Sequence, residues 1–404
     1  MIETILILQI FLALLVGCVI GTITGLTPGL HINMISVLIV SFSPLLLQYL
    51  PIIAIISFIV SMSITHTFID FIPSIFLGAP DEDTSLSILP GHSLLLKGKG
   101  YEAVMCTLYG SLIGIFTILF FSPIFISILP KIYTYLKKIL FFILLFSSLY
   151  LIFREKNKIN SLIIFLMSGF IGLVVFNLNS KEPLLPMLSG FFGSSSLIIS
   201  IIKKQKIPKQ KVSKVKITKE EIKNSVLATS LASPLCSFLP ALGSGQAAVI
   251  SSDLIEEKDK KQFLITLGSI NTIIMGLSFI SLYSLNVKRN GSVVAISKIL
   301  ENFSLNYLYI IILVIIFSGI ISFFIGCKLA KFFSLKIHEI NYRKISFFVL
   351  FFMSILVFYF SSFIGFSIFL TSTFLGLYTI FSGERRTLMM GCLMLPSLVL
   401  YFPI

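Results

Sequence analysis

The residues best suited to chemistry stand where two apolar stretches are interrupted. One reads Leu26-Thr27-Pro28-Gly29-Leu30-His31-Ile32-Asn33; the other reads Phe238-Leu239-Pro240-Ala241-Leu242-Gly243-Ser244-Gly245-Gln246. Proline and glycine break a helix at such points. A helix that restarts after the break offers free backbone N–H groups and the positive end of its dipole, and both favour an anion. The flanks are polar: Thr27, His31 and Asn33 at the first break, Ser244 and Gln246 at the second. Gly243 and Gly245 allow a ligand to approach the backbone closely. Two such ends facing each other, at Pro28-Gly29 and at Pro240, would cradle a carboxylate or a phosphate. No arginine falls in an expected membrane core, so dipoles and hydroxyls would carry recognition. The plain alternative is two proline kinks that shape packing and nothing more.

A second constellation follows the first break. Ser63, Thr65, His66, Thr67 and Asp70 lie in one apolar run. A carboxylate inside a membrane is costly and by default marks an ion or substrate path. His66 and Asp70 are four apart and share a helix face, which suits a proton relay; Asp70 with backbone carbonyls would suit Na⁺. A structural His–Asp hydrogen bond is the alternative. The counterpart after the second break is Thr266, Ser269, Asn271 and Thr272, polar but uncharged. Asn271 is grouped with the substrate residues, and Ser269 with Thr65, His66 and Asp70 for cation coupling. Asp253 is a candidate partner. Asp81-Glu82-Asp83 is the densest acidic cluster, a solvated loop or a cation gate. Glu384-Arg385-Arg386 reads as a short topology-anchoring loop.

These residues need a membrane to be positioned in. The chain has 404 residues, 56% hydrophobic and 12% charged, with a mean hydropathy of +1.03. Apolar runs of about twenty residues match a bilayer crossing. They are apolar all round, which excludes a soluble helical protein. The start lacks a basic n-region, so no cleaved signal peptide is expected. Cys18, Cys106, Cys236, Cys327 and Cys392 are scattered and make no CxxC pair, and the four histidines show no metal spacing. No metal or cofactor is expected apart from Na⁺ or H⁺ as coupling ion. The net charge of +14 reads as topology, since basic residues stay in cytoplasmic loops. It does not read as nucleic-acid binding, because no aromatics interleave with the lysines.

The runs group into two halves, 1–202 and 224–404, joined by a basic cytoplasmic linker, 203–223, with nine lysines. Each half is expected to hold a broken segment (4–48 and 224–256) and five crossings. Those of the first half lie near 51–79, 101–130, 139–153, 160–178 and 184–202; those of the second near 262–285, 303–332, 346–362, 363–381 and 388–404. If each broken segment is a re-entrant hairpin, an odd number of crossings inverts the second half. Of the 31 Lys and Arg residues, 24 then fall inside and 7 outside, which supports that topology. The expected fold is an all-α polytopic membrane protein built from two inverted repeats.

Several segments together resemble a known family. They are Pro28 to Asn33, Phe76-Leu77-Gly78-Ala79-Pro80 to Pro90-Gly91-His92, and Lys97-Gly98-Lys99-Gly100 in the first half. In the second half they are Leu239-Pro240 to Gln246-Ala247-Ala248, Gly268-Ser269-Ile270-Asn271-Thr272, Asn290 to Ala295, and Met390-Gly391-Cys392-Leu393-Met394-Leu395-Pro396. The pattern resembles the permease subunit of tripartite tricarboxylate transporters, the TctA-type family, and more closely its archaeal branch of uncharacterised membrane proteins. The resemblance implies a permease that moves carboxylate anions with a cation gradient. Bacterial relatives work with a small membrane subunit and a periplasmic binding protein. This chain departs from the bacterial pattern at His31 and Ala241, where that pattern has glycine.

The expected function is secondary transport of a small organic anion across the cell membrane by alternating access, with substrate at the two breaks. A homo-oligomer is compatible with this. The alternative is a polyprenyl or lipid-phosphate translocase, since the same N–H groups suit a phosphate. An enzyme would need a nucleophile, base and metal set that the sequence lacks. A passive channel would need a continuous pore.

Overall fold

Without water to satisfy them, backbone N–H and C=O groups in a membrane must pair within their own segment, so the apolar runs fold as helices. The computed structural model describes residues 2–27, 32–79, 83–178, 184–202, 207–238, 244–245, 247–248, 251, 259–300, 303–339 and 342–402. The first half contains α1 (Ile2–Leu26), α2 (Ile32–Leu46), α3 (Ile52–Ile69), α4 (Phe71–Leu77), the short α5 (Ile88–Leu95), α6 (Gly100–Phe153) and α7 (Lys158–Asn177). It closes with α8 (Leu184–Leu188), a π-helical turn (Ser189–Ser194) and α9 (Ser195–Ile202). The second half contains α10 (Lys219–Phe238), α11 (Lys260–Leu285), the short α12 (Gly291–Ile299), α13 (Leu305–Lys336), α14 (Tyr342–Phe381), a 3₁₀ turn (Arg386–Met390) and α15 (Gly391–Leu400). Among the described residues, eight helical stretches are long and apolar enough to cross a membrane.

Glycines set the directions of these helices. Gly17, Gly21 and Gly25 of α1 lie against Ser61, Met62 with Thr65, and Ile69 of α3. The pairing advances in step along both helices, so α1 and α3 run parallel. α2 therefore returns the chain to the side from which α1 set out, and the first break is the tip of a hairpin. Ser225 shares a hydrogen bond with Thr266 at 3.2 Å, and Ser269 donates to Thr229 at 3.4 Å, so α10 and α11 also run parallel.

The halves interlock through the same kind of contact. Gly110 and Gly114 of α6 meet Ile265 and Ser269 of α11, while Gly268 of α11 meets Thr107; this pair is parallel. Gly319 and Gly326 of α13 meet Ile115 and Leu108 in descending order, so α13 opposes α6. Ser322 and Phe333 of α13 pair with Thr65 and Phe76 in ascending order, so α13 follows α3 and α4. It follows that α3 and α11 run in opposite directions. These two are the innermost spans, 89% and 94% buried, against 22% for α1. An outer layer is reciprocal too: Gly172 of α7 meets Cys392 of α15, and Gly376 of α14 meets Phe191 and Ser195.

Two boundaries differ from those expected. The crossings placed at 101–130 and 139–153 form the single 54-residue helix α6, with Pro123 and Pro130 inside it. At 1.5 Å per residue this is about 80 Å, more than twice a bilayer core, and those prolines are where its course can change. The crossings at 346–362 and 363–381 are joined in α14, broken at Ser362, whose φ of 56° and ψ of −162° are non-helical. The linker also differs. Its last five residues belong to α10, and its residues 207–218 lie along α6, where the Gly100 N–H donates to Gln210 Oε1 at 2.7 Å. The α11 start is pinned nearby, through a Lys260 bond to Ser93 and an ion pair of Lys261 with Glu102.

A Cβ at Gly110 or Gly268 would collide with the backbone of the facing helix. Gly110→Val and Gly268→Val should each destabilise the protein by about 1–3 kcal/mol through overpacking, read as a lower melting temperature in detergent. The exposed change Tyr359→Phe should leave it unmoved.

Candidate functional site

Between the innermost helices runs a polar seam. Every polar side chain of α3 singled out above is buried: Ser63, Thr65, His66, Thr67 and, at its C-terminal end, Asp70, which is 3% exposed. Asp70 stands where α3 gives way to α4. Pro73, in the first turn of α4, has no N–H to offer the preceding turn, which explains the interruption. The Asn271 amide of α11 donates to Asp70 Oδ2 at 2.8 Å. One turn earlier on α3, Thr67 and Thr272 share a hydrogen bond at 3.2 Å. A turn further back, Ser63 and Ser292 share one at 2.7 Å, and Ser292 also meets Ser36 of α2 at 3.1 Å. On another side of α3, Ser322 of α13 donates to Thr65 at 2.8 Å. Four contacts thus tie α3 to the second half, each joining residues more than 200 positions apart. The buried hydroxyls and amides satisfy one another here, as such groups must.

The end of α1 borders this seam. Gly25 packs against Ile69 and the Asp70 backbone N, so the first break begins within a turn of Asp70. Carried forward in the same register, the α10 end at Phe238 stands level with Ser278, which accepts from Asn290 at 3.0 Å. That asparagine caps α12, accepting from the Val293 N–H at 2.9 Å. Of the acidic cluster Asp83 meets the second break: Ser244 donates to its Oδ1 at 2.6 Å and lies 3.1 Å from its carbonyl, while Asp81 and Glu82 lie outside the described residues. Gly245 lies against Met390 and Leu393.

The expected site residues sort as follows. Asp70 meets Asn271, Thr65 meets Ser322, and Ser269 meets Thr229. His66 points its Nδ1 at Thr24 of α1, 3.0 Å away, so it ties α3 to the first hairpin while Asp70 reaches across to the other half. The Thr27 hydroxyl donates to the Ile23 carbonyl at 2.8 Å and so caps the last turn of α1. Pro28, Gly29, His31, Pro240, Gly243, Gln246 and Asp253 lie outside the described residues, and Asn33 is described only as part of the α2 backbone.

Arg386 departs from the reading of Glu384-Arg385-Arg386 as a short topology-anchoring loop: it is buried, 3% exposed. Its guanidinium donates to the carbonyls of Phe191 and Phe192 at 2.5 and 2.8 Å and to the hydroxyls of Ser195 and Ser196 at 2.7 and 2.6 Å. It also lies over the Phe192 ring. A π turn widens the hydrogen-bond ladder, and here the arginine fork takes up its carbonyls. Its neighbours Arg385 and Glu384 do behave as surface residues, pairing with Glu155 at 3.4 Å and accepting from Ser161 at 3.2 Å.

Residues 11–391 match the family described as Tripartite tricarboxylate transporter TctA family. The chain belongs to the TctA family. It is therefore a multi-pass membrane transporter of the permease type, and the family is one of transporters, not enzymes. It is also similar to an uncharacterized protein of Methanocaldococcus jannaschii, 34% identical over 401 residues, which covers 97% of this chain and 98% of that one. That similarity is consistent with the archaeal branch of the TctA family. No solved structure matches the chain.

Removing Asn271 leaves the buried Asp70 carboxylate short of a donor, at a cost of about 1–3 kcal/mol. Asn271→Leu should lower the melting temperature. Adding Asp70→Leu should recover part of the loss, so a double-mutant cycle in detergent should return a non-zero coupling.

Proposed function

We propose that this TctA-family protein is a secondary active transporter of a small organic anion, a carboxylate, driven by Na⁺ or H⁺ and working by alternating access. The observation that carries the reading is the Asp70–Asn271 bond. It joins the innermost helices of the two halves, beside the tip of the first hairpin. Two hairpins entering along oppositely directed helices are what an inverted-repeat transporter uses to hold substrate near the midplane. Substrate would sit between the tips, on the backbone and side chains of Thr27, Pro28, Gly29, His31 and Asn33 and of Pro240, Gly243, Ser244, Gly245 and Gln246, with Asn271 beside them. Coupling would enter through Asp70, with His66, Thr65 and Ser269 around it. A buried carboxylate that accepts from a neutral amide is a group able to take up a proton or a cation. The family name speaks of a tripartite system, so a small membrane subunit and an external binding protein belong to this reading.

A second reading, translocation of a lipid phosphate, draws on the outward apolar side chains of α1 and α10, such as Val19, Ile23, Leu227 and Leu231, all exposed. One screen separates the two. Purified protein is melted with di- and tricarboxylates, amino acids and a polyprenyl phosphate, each with and without Na⁺. A ligand of the folded state raises the melting temperature by mass action. Stabilisation by a carboxylate, larger with Na⁺, is the expected result; stabilisation by the lipid phosphate alone would move the assignment. In liposomes loaded with the stabilising anion, Asp70→Asn should abolish gradient-driven uptake at unchanged folded yield. Uptake that still follows the cation gradient would remove Asp70 from the coupling site.

A further inference from the structure

The linker between the halves is a strap with two faces. Gln210 fastens it: its side chain accepts from the Gly100 N–H and donates to the Leu95 carbonyl at 3.1 Å, and the Lys211 N–H donates to the Gly98 carbonyl at 2.8 Å. Beyond this clasp the sequence alternates, Lys214-Val215-Lys216-Ile217, as an extended segment with one apolar and one polar side does. Val215 and Ile217 turn inward, and with Ile222 of α10 and Tyr109, Leu112 and Phe116 of α6 they line a cavity of about 310 Å³. Lys214, Lys216 and Lys219 are exposed, and among the described residues none of the three makes an ion pair. The nearby Glu221 is engaged in a capping box, accepting from the Thr218 N–H and hydroxyl at 2.6 and 2.8 Å. Phe116 of the lining is itself exposed, and further along the same two helices Phe120, Leu227 and Leu231 are exposed apolar side chains.

We propose that this groove is a binding site for one anionic phospholipid, its phosphate among Lys214, Lys216 and Lys219 and an acyl chain along Leu112 and Phe116. The chemistry favours this occupant. An apolar slot beside exposed apolar side chains takes a hydrocarbon chain; Lys219, one turn before the lining Ile222 on the same face of α10, and Lys214 and Lys216 on the outer side of the strap take a negative headgroup, each contributing on the order of fivefold in affinity near such a surface. The lipid would thereby hold the strap against α6, linking the leaflet's charge to the spacing of the two halves. This site stands apart from the hairpin tips and does not depend on what they carry.

The chain has no tryptophan, so Phe116→Trp places a single fluorescent reporter in the groove. The full-length variant is reconstituted in phosphatidylcholine vesicles with increasing brominated phosphatidylglycerol, and quenching is compared with that by brominated phosphatidylcholine. A preference for phosphatidylglycerol of about tenfold or more is expected. Adding Lys214→Gln, Lys216→Gln and Lys219→Gln, all exposed changes, should bring it to about one. The control Phe324→Trp, on the outward face of α13, should show no preference. Equal quenching by both lipids, a preference that survives loss of the lysines, or the same preference at the control would each overturn the proposal. Relief of quenching by glycerol phosphate would overturn it as well, since the lysines would then form a phosphate site that needs no acyl chain.

Discussion

Close approach of backbone to backbone is the constraint on which the rest of the protein rests. Lipid is as apolar as the side chains of these helices, so burial against a neighbour gains little and contact must come from fit. Gly17, Gly21 and Gly25 let α1 lie on α3; Gly110, Gly114 and Gly268 do the same for α6 and α11. Once these crossings are tight, the small hydroxyls beside them reach across. Thr67 with Thr272 and Ser63 with Ser292 are bonds between short side chains, which only helices in near contact can form.

The seam then gives the interface its character. A wholly apolar contact between α3 and α11 would be indifferent to sliding, whereas one that must match Thr67 with Thr272 and Asp70 with Asn271 has one good register. A second register would need new partners for the same groups. Polar pairing therefore sets the register in which α3 and α11 meet.

Much of this is legible in the sequence, for definite reasons. The breaks show because proline and glycine are out of place in an apolar run, and Asp70 shows because a carboxylate is. Asn271 is found by asking what stands in the matching place of the other half. Ser36, Ser292 and Ser322 are not found, because nothing separates them from serines such as Ser57 and Ser148, which bond back to Ile53 and Leu144 in their own helices. Hydropathy places apolar runs without placing bends, so α6 and α14 each join two expected crossings. Arg386 is hidden by its neighbours: Glu384-Arg385-Arg386 looks like a solvated loop, and what buries the last of the three is a π turn in the other half.

That arginine also bears on how the chain is made. The carbonyls of Phe191 and Phe192 wait for a guanidinium 195 and 194 residues further on. A ribosome delivers the first half long before Arg386 leaves the exit tunnel. Until then the π turn enters the bilayer without this partner, and α14 and α15 have yet to pack around it. The first half is thus inserted before it is finished. Its last helix is completed only by a residue of the second half, which makes the protein one folding unit although its sequence reads as two.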